Sequence, residues 1–106
     1  MKKLVFFVPE THLEQVKAAV FEAGAGRIGD YEHCCWQTLG TGQFKPMSEA
    51  TPFIGQSGRL EFVSEYRVEL VCDDACIKDA VQALRHAHPY EEPAFDVTHL
   101  VDAESL

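Results

Sequence analysis

The most constraining feature of the sequence is a run of alternating side chains between residues 60 and 72. The even positions are apolar except for Ser64, and most odd positions are charged: Leu60, Phe62, Tyr66, Val68, Leu70 and Cys72 form the apolar set. A period of two predicts a strand with one buried face. About 13 such residues would reach ~43 Å at ~3.3 Å per residue, too long for a small domain. The sequence therefore predicts either a bend near Ser64-Glu65 or pairing of the far half with another subunit.

The first third of the chain predicts a strand, a helix and a second strand. Residues Leu4–Val8 are continuously apolar, which is typical of a buried strand. Thr11 and Glu14 have capping-box spacing at the start of a helix, and Gly24 is placed to end that helix in a left-handed cap. Residues Tyr31–Leu39 have the β-branched and aromatic content of a strand.

The rest of the chain predicts a long loop, a helix and a final strand. Residues 40–58 have no periodicity, and a loop of that length usually serves function or an interface. Asp73 or Asp74 is expected to cap the second helix, and Pro89 is expected to follow its end. Residues 95–101 alternate as a strand, and residues 102–106 are expected to form a loose tail.

The predicted order β-α-β-β-α-β is that of a ferredoxin-like α+β sandwich. Such a fold has a four-stranded antiparallel sheet with two helices on one face, and its first and third strands are central. We expect a single domain over residues 1–106, since one domain is natural at this length.

Composition excludes several kinds of partner. The nine basic residues are scattered and the net charge is −8, which disfavours nucleic acid. No stretch has the ~18 apolar residues of a membrane helix, and the early apolar run stops at Pro9-Glu10, too short for a signal peptide. We therefore expect a cytoplasmic protein without membrane contact. Its four cysteines have no disulfide or zinc spacing and are expected to be free thiols.

Two motifs have both a binding and a structural interpretation. On a strand, His33 and Cys35 would share one face and are candidate ligand-binding residues. Alternatively, they belong to a strand whose side chains lie partly in the core and partly at its rim, without a binding role. The string Gly24–Gly29 has the letters of a dinucleotide fingerprint, but it follows a helix and precedes a strand. We interpret it as a helix exit, because the fingerprint needs the glycines at a helix N-terminus.

The densest polar cluster lies where the second helix leads into the last strand. Pro89 and Pro93 stiffen this segment, and its candidate ligand-binding residues are His88, Tyr90, Glu91 and Glu92. An imidazole beside carboxylates can hold a divalent metal, with Cu²⁺ favoured over Zn²⁺. The alternative is a turn with no binding role. Glu91 and Glu92 diverge on an extended chain, so they are not expected to act as an acid/base pair.

Several segments together resemble the central insert domain of the Nif-three-like (YqfO) family. The matching segments are Gly24–Gly29 with Asp30–Cys34, Gly40–Pro46, Gly58–Val63, Arg67–Glu69 and His88–Asp96. The resemblance runs from Leu4 to Leu100. In that family a dinuclear metal site lies in the halves flanking the insert, and some members are named GTP cyclohydrolase homologues. Neither property is implied for a chain that resembles the insert.

The insert in turn resembles PII and CutA proteins, which implies a trimer with long strands interlocking between subunits. CutA-type proteins have a His-Pro-Tyr turn linked to divalent copper. This turn corresponds to His88-Pro89-Tyr90, so the resemblance implies His88 as a metal ligand, with Glu91 or Glu92 as looser candidates. In such a trimer the turn can face the loop at 40–58 or the segment 33–35 of a neighbouring subunit.

These observations predict a small non-enzymatic homotrimer that binds a small-molecule ligand or partner in clefts between subunits. A CutA-like protein of metal tolerance, binding copper or zinc through His88, is the second hypothesis. A metal-assisted hydrolase is the third, although the sequence contains no recognisable catalytic constellation.

Overall fold

The computed structural model describes residues 1–106, which form one sheet covered on one face by two helices. The elements are β1 (Lys2–Pro9), α1 (Leu13–Glu22), β2 (Trp36–Phe44), β3 (Glu61–Cys72), α2 (Ile77–Ala87) and β4 (Phe95–His99). The strand order is β2-β3-β1-β4, and every neighbouring pair is antiparallel. The predicted ferredoxin-like α+β fold, with its first and third strands central, is confirmed. Neither helix is long and apolar enough to cross a bilayer.

The core lies between the sheet and the two helices. From β1 the side chains of Leu4, Phe6 and Val8 are fully buried, and they meet Val68 and Leu70 of β3. The helices supply the other wall of this core with Val16, Val20, Ala80 and Leu84. β1 has a strand on each side, and after its first two lysines every residue of the strand is apolar.

The long alternating strand is accommodated within a single chain. The inner part of β3, from Glu65 to Cys72, pairs with β1, and the outer part, from Glu61 to Glu69, pairs with β2. The register continues along both pairs without a bulge. β3 therefore has no bulge near Ser64, and its outer half has β2 of the same chain as its pairing partner. The β2–β3 hairpin extends beyond β1, and the radius of gyration is 15.0 Å, against ~13 Å for a typical chain of this length.

The predicted bounds of the second strand were wrong. β2 begins at Trp36 instead of Tyr31 and continues to Phe44, through glycines that the sequence placed in a loop. Gly42 fits this strand because the Glu65 side chain of β3 lies across it, where a Cβ atom would collide with the carboxylate. The pairing partner therefore makes glycine suitable at a position where strand propensity alone disfavours it.

The two predicted helix caps do not form. The Thr11 hydroxyl is hydrogen-bonded to Nδ1 of His12, within a 3₁₀ turn that precedes α1, and no side chain caps Leu13. Asp74 accepts a hydrogen bond from Lys2 at 3.0 Å instead of capping α2. Thr11 and Asp74 are hydrogen-bonded to other side chains, and these hydrogen bonds compete with capping of the helix amides.

The predicted exit of the first helix is confirmed. Gly24 has a φ of +107° directly after α1, a conformation that glycine adopts without strain. Its amide donates to the carbonyl of Phe21 at 3.0 Å. The glycine string is therefore a helix exit, as the order of elements predicted.

Candidate functional site

His88 holds the turn between α2 and β4 from the inside. Its ring is buried; Nε2 lies 2.7 Å from the carbonyl oxygen of Phe7 and Nδ1 lies 3.1 Å from the amide nitrogen of Tyr90. A carbonyl only accepts and an amide only donates, so Nε2 carries the proton and Nδ1 accepts. The ring is therefore neutral, and burial lowers the pKa of His88 below its ordinary value of 6.5.

These two hydrogen bonds bear directly on the metal hypothesis for His88. Both ring nitrogens are engaged with the backbone, so a metal would have to displace one of them. The structure also contains no group of three or more His, Cys, Asp and Glu side chains placed to hold a metal ion. Metal binding at His88 stays a prediction, and it requires the turn to rearrange.

Tyr90 links the turn to the sheet. Its hydroxyl donates to Oε2 of Glu65 at 2.8 Å, and its ring lies 4.9 Å from the His88 ring and 6.0 Å from the Phe44 ring. Burial, reinforced by the Glu65 carboxylate, raises the pKa of Tyr90 above its ordinary value of 10.0. The phenol therefore keeps its proton and acts as a fixed donor to Glu65.

The segment between β2 and β3, which we call the 45–60 loop, reaches across to the same turn. The amide and hydroxyl of Thr51 donate to the two carboxylate oxygens of Glu91 at 3.2 and 2.8 Å. Phe53 contacts the ring of His12 edge to face, with 5.3 Å between ring centroids. The predicted loop and the predicted turn are thus adjacent, but within one chain, whereas the sequence placed them across a subunit boundary.

The 45–60 loop, the turn and the sheet line an open cavity of about 500 Å³. Most of its lining is apolar and comes from all three: Phe7, Phe44, Met47, Phe53, Ile54 and Ala94. The polar lining consists of the Tyr90 phenol, the Gln43 amide, three carboxylates and one amine; the charged groups belong to Glu65, Glu91, Glu92 and Lys45. Sites for small molecules have this character, a mainly apolar cavity of ~300–1,000 Å³ with a few placed polar groups.

The predicted site residues are divided between two regions. Tyr90, Glu91 and Glu92 line the cavity, and His88 supports them from beneath. The other two predicted ligand-binding residues lie elsewhere. His33 has a φ of 60° and stacks on Phe21 at 4.9 Å.

The expectation that His33 and Cys35 share a strand face was wrong, since both precede β2. The Cys34 amide donates to Gly26, which holds this segment against the end of α1. Cys35 packs beside the core. Neither residue belongs to the cavity lining.

The residues that were not identified from the sequence include Phe44 and Glu65, which line the cavity, and Thr51, which donates two hydrogen bonds to Glu91. Glu65 directly follows the break in the alternation at Ser64, where the sequence predicted either a bend or the start of a segment paired with another subunit. The length of the loop indicated function but did not indicate which loop residue meets the turn. The signal for these residues lies in the pairing of β2 with β3, which is set by tertiary contacts.

Comparison with known proteins places this geometry in a family context. No protein-family model matches the chain. A GTP cyclohydrolase 1 type 2 homolog from Mycobacterium leprae is 52% identical over 101 residues, which is 95% of this chain and 26% of the relative. A Bacillus cereus protein related to NIF3 superposes with a TM-score of 0.79 at 42% identity, covering 95% of this chain and 26% of that one.

The chain is homologous to one segment of NIF3-related proteins. It spans about a quarter of the length of the curated relatives it matches. The periplasmic divalent cation tolerance protein CutA from Archaeoglobus fulgidus superposes with a TM-score of 0.67 at 12% identity. That match covers 97% of this chain and 87% of CutA, and at this identity it shows the shared CutA/PII-like fold alone.

Proposed function

We propose that this NIF3-type domain binds a small organic molecule in the cavity between the 45–60 loop and the His88–Glu92 turn. The observation that carries the proposal is the cavity itself, about 500 Å³ and mainly apolar. Its two walls are joined by the paired hydrogen bonds from Thr51 to Glu91. Binding there would strengthen the contact between loop and turn, so the domain would act as a binding or regulatory module.

The hydrogen bonding of the cavity supports binding over catalysis. His88 and Tyr90 are the groups best suited to move a proton, and both are committed to structural partners. Tyr90 has a raised pKa, which makes it a poor proton donor near neutral pH. The remaining polar groups of the lining are three carboxylates, one amide and one amine, without a hydroxyl or thiol nucleophile beside a base.

The β2–β3 hairpin supports a second part of the proposal, that the domain associates with itself as a homotrimer. Four large apolar side chains remain more than half exposed along it and beside it: Trp36, Leu39, Leu60 and Phe62. Leu39 and Phe62 lie on one face of the hairpin and Trp36 lies on the other. Large exposed apolar side chains gathered on one element often mark an interaction site. A trimer would cover these side chains and would bring the cavity, which borders the hairpin at Phe44, near a subunit boundary.

The binding proposal can be tested with an uncharged aromatic probe, 2-(indol-3-yl)ethanol. We expect its addition to shift the backbone amide resonances of the 45–60 loop and of residues 88–94 in ¹H–¹⁵N spectra. Ala94→Trp should fill the cavity and abolish these shifts, because Ala94 lines it. Ala18→Trp, on the exposed side of α1, is the matched control and should bind as the wild type does. Shifts that survive in Ala94→Trp would contradict the proposal.

A further inference from the structure

We infer that the cavity selects organic cations, namely amines or ammonium compounds with an aromatic or aliphatic body. The inference rests on the proposed binding function and specifies its ligand class. It is carried by a juxtaposition of two features, an excess of carboxylates in the lining and aromatic rings around them.

The charge of the lining is unbalanced. Three carboxylates, Glu65, Glu91 and Glu92, face the cavity together with a single amine, Lys45. None of these four groups takes part in an ion pair. The partners that Glu65 and Glu91 do have are the neutral donors Tyr90 and Thr51, so the negative charge is not neutralised within the chain.

Glu65 is the best-placed anchor for a cation. Tyr90 holds Oε2, whereas Oε1 accepts no hydrogen bond from the protein, and the side chain is fixed across the open position at Gly42. A carboxylate held in this way can accept an N–H donor without losing side-chain entropy on binding. A charge-assisted hydrogen bond there would be about twice as strong as a neutral one.

A second carboxylate on the same strand face shows the contrast. Glu69 lies four residues along β3, and its oxygens meet Arg67 at 2.8 Å and Lys3 at 3.8 Å. Its charge is therefore satisfied within the chain, and it does not line the cavity. Of the two glutamates, only Glu65 combines a cavity position with an unmet charge.

The aromatic lining favours the same ligand class. The rings of Phe7, Phe44, Phe53 and Tyr90 all line the cavity, and the faces of aromatic rings attract cations within ~6 Å. Phe7 already shows this behaviour, because the Arg67 guanidinium lies 5.8 Å from its ring centroid. A metal ion would make little use of these apolar rings, whereas an organic cation can contact both the rings and the carboxylate.

The test compares three probes of matched shape that differ in charge: tryptamine (a cation), 2-(indol-3-yl)ethanol (neutral) and indole-3-acetate (an anion). We expect tryptamine to bind about tenfold more tightly than the neutral alcohol, by NMR titration at pH 7 and low salt. Indole-3-acetate should bind most weakly, because the lining carboxylates repel it. Equal affinity of amine and alcohol would overturn the inference and leave the proposed function standing. Failure of all three to bind would overturn both.

A pair of charge-neutralising variants then identifies the anchor. Glu65→Gln keeps an oxygen acceptor for Tyr90 but removes the negative charge, so the preference for tryptamine over the alcohol should fall to about twofold. The affinity for the alcohol should fall by less than the affinity for tryptamine, because the alcohol has no charge for the carboxylate to attract. Glu69→Gln removes the same charge from the same strand face outside the cavity, and should keep the tenfold preference. An equal loss of preference in both variants would show that the net negative charge of the protein attracts the cation, and it would overturn the role of Glu65 as the anchor.

Discussion

Replacing His88 with alanine should destabilise the domain by about 3 kcal/mol, because the buried His88 side chain joins the turn to the backbone of the central strand β1. The change removes two hydrogen bonds worth ~1 kcal/mol each and leaves the Phe7 carbonyl without the partner it has at 2.7 Å. Because the ring is only 6% exposed, its loss also leaves a small cavity, which adds to the cost.

Two further variants separate these contributions. His88→Gln can place an amide N–H near the position of Nε2 and keep the bond to Phe7, but it cannot also accept from the Tyr90 amide. We expect it to lose about half as much stability as His88→Ala. His86→Ala removes an exposed histidine from the last turn of α2, and should change the free energy of unfolding by less than ~0.5 kcal/mol.

His88 should also make the free energy of unfolding depend on pH. Burial lowers the pKa of His88 in the folded state, so the unfolded chain takes up a proton at higher pH than the folded one does. The contribution of neutral His88 is therefore complete above its unfolded pKa near 6.5 and is lost as the pH falls through the folded value, by up to ~1.4 kcal/mol per pH unit. Physically, a proton on Nδ1 would face the Tyr90 amide donor.

Urea denaturation followed by far-UV circular dichroism, between pH 5 and 8, measures both effects. The wild type and His86→Ala should lose stability in parallel below pH 6.5, whereas His88→Ala should show a flatter profile. A free energy of unfolding for His88→Ala within ~0.5 kcal/mol of the wild type would refute the structural role of this residue. An unchanged pH profile in His88→Ala would refute the assignment of the neutral ring.

Three other predictions concern the sheet, the assembly and the metal. Gly42→Ala should displace the Glu65 side chain and break its hydrogen bond to Tyr90, which would lower the free energy of unfolding by ~1 kcal/mol. Gly40→Ala, whose Cβ atom meets open space, should leave the free energy of unfolding unchanged in the same denaturation assay. Light scattering should give about three times the chain mass of 11.9 kDa, and Phe62→Ser should shift the mass towards that of one copy. A wild type that stays monomeric at high concentration would contradict the homotrimer. Calorimetric titration with Cu²⁺ should show weaker binding to His88→Ala than to the wild type if copper binds there, and identical isotherms would end that hypothesis.

The sequence predicted those strands whose pattern is determined by burial. β1 and β3 are central, so one has a continuous apolar run and the other an alternation broken at Ser64, and the bounds predicted for both lie within two residues of those observed. β2 is an edge strand with mixed exposure, and its bounds depend on pairing with β3. Its glycines are explained by the position of Glu65, which local propensity cannot report.

Only one wall of the candidate site could be predicted, because only that wall is marked by a local sequence pattern. The turn at His88–Glu92 is a local feature, with prolines and polar residues close together, so it could be recognised directly. The opposite wall of the cavity comes from the 45–60 loop and from Glu65 on β3. These residues meet the turn only through the tertiary fold, and no local pattern marks Thr51 as the partner of Glu91.

Intermolecular nuclear Overhauser effects with bound tryptamine would locate a small organic molecule between the 45–60 loop and the His88–Glu92 turn. We expect contacts from the indole protons to the methyl groups of Met47 and Ala94 and to the ring of Phe44, all of which line the cavity. Contacts confined to Trp36 and Leu39, on the exposed hairpin, would contradict it.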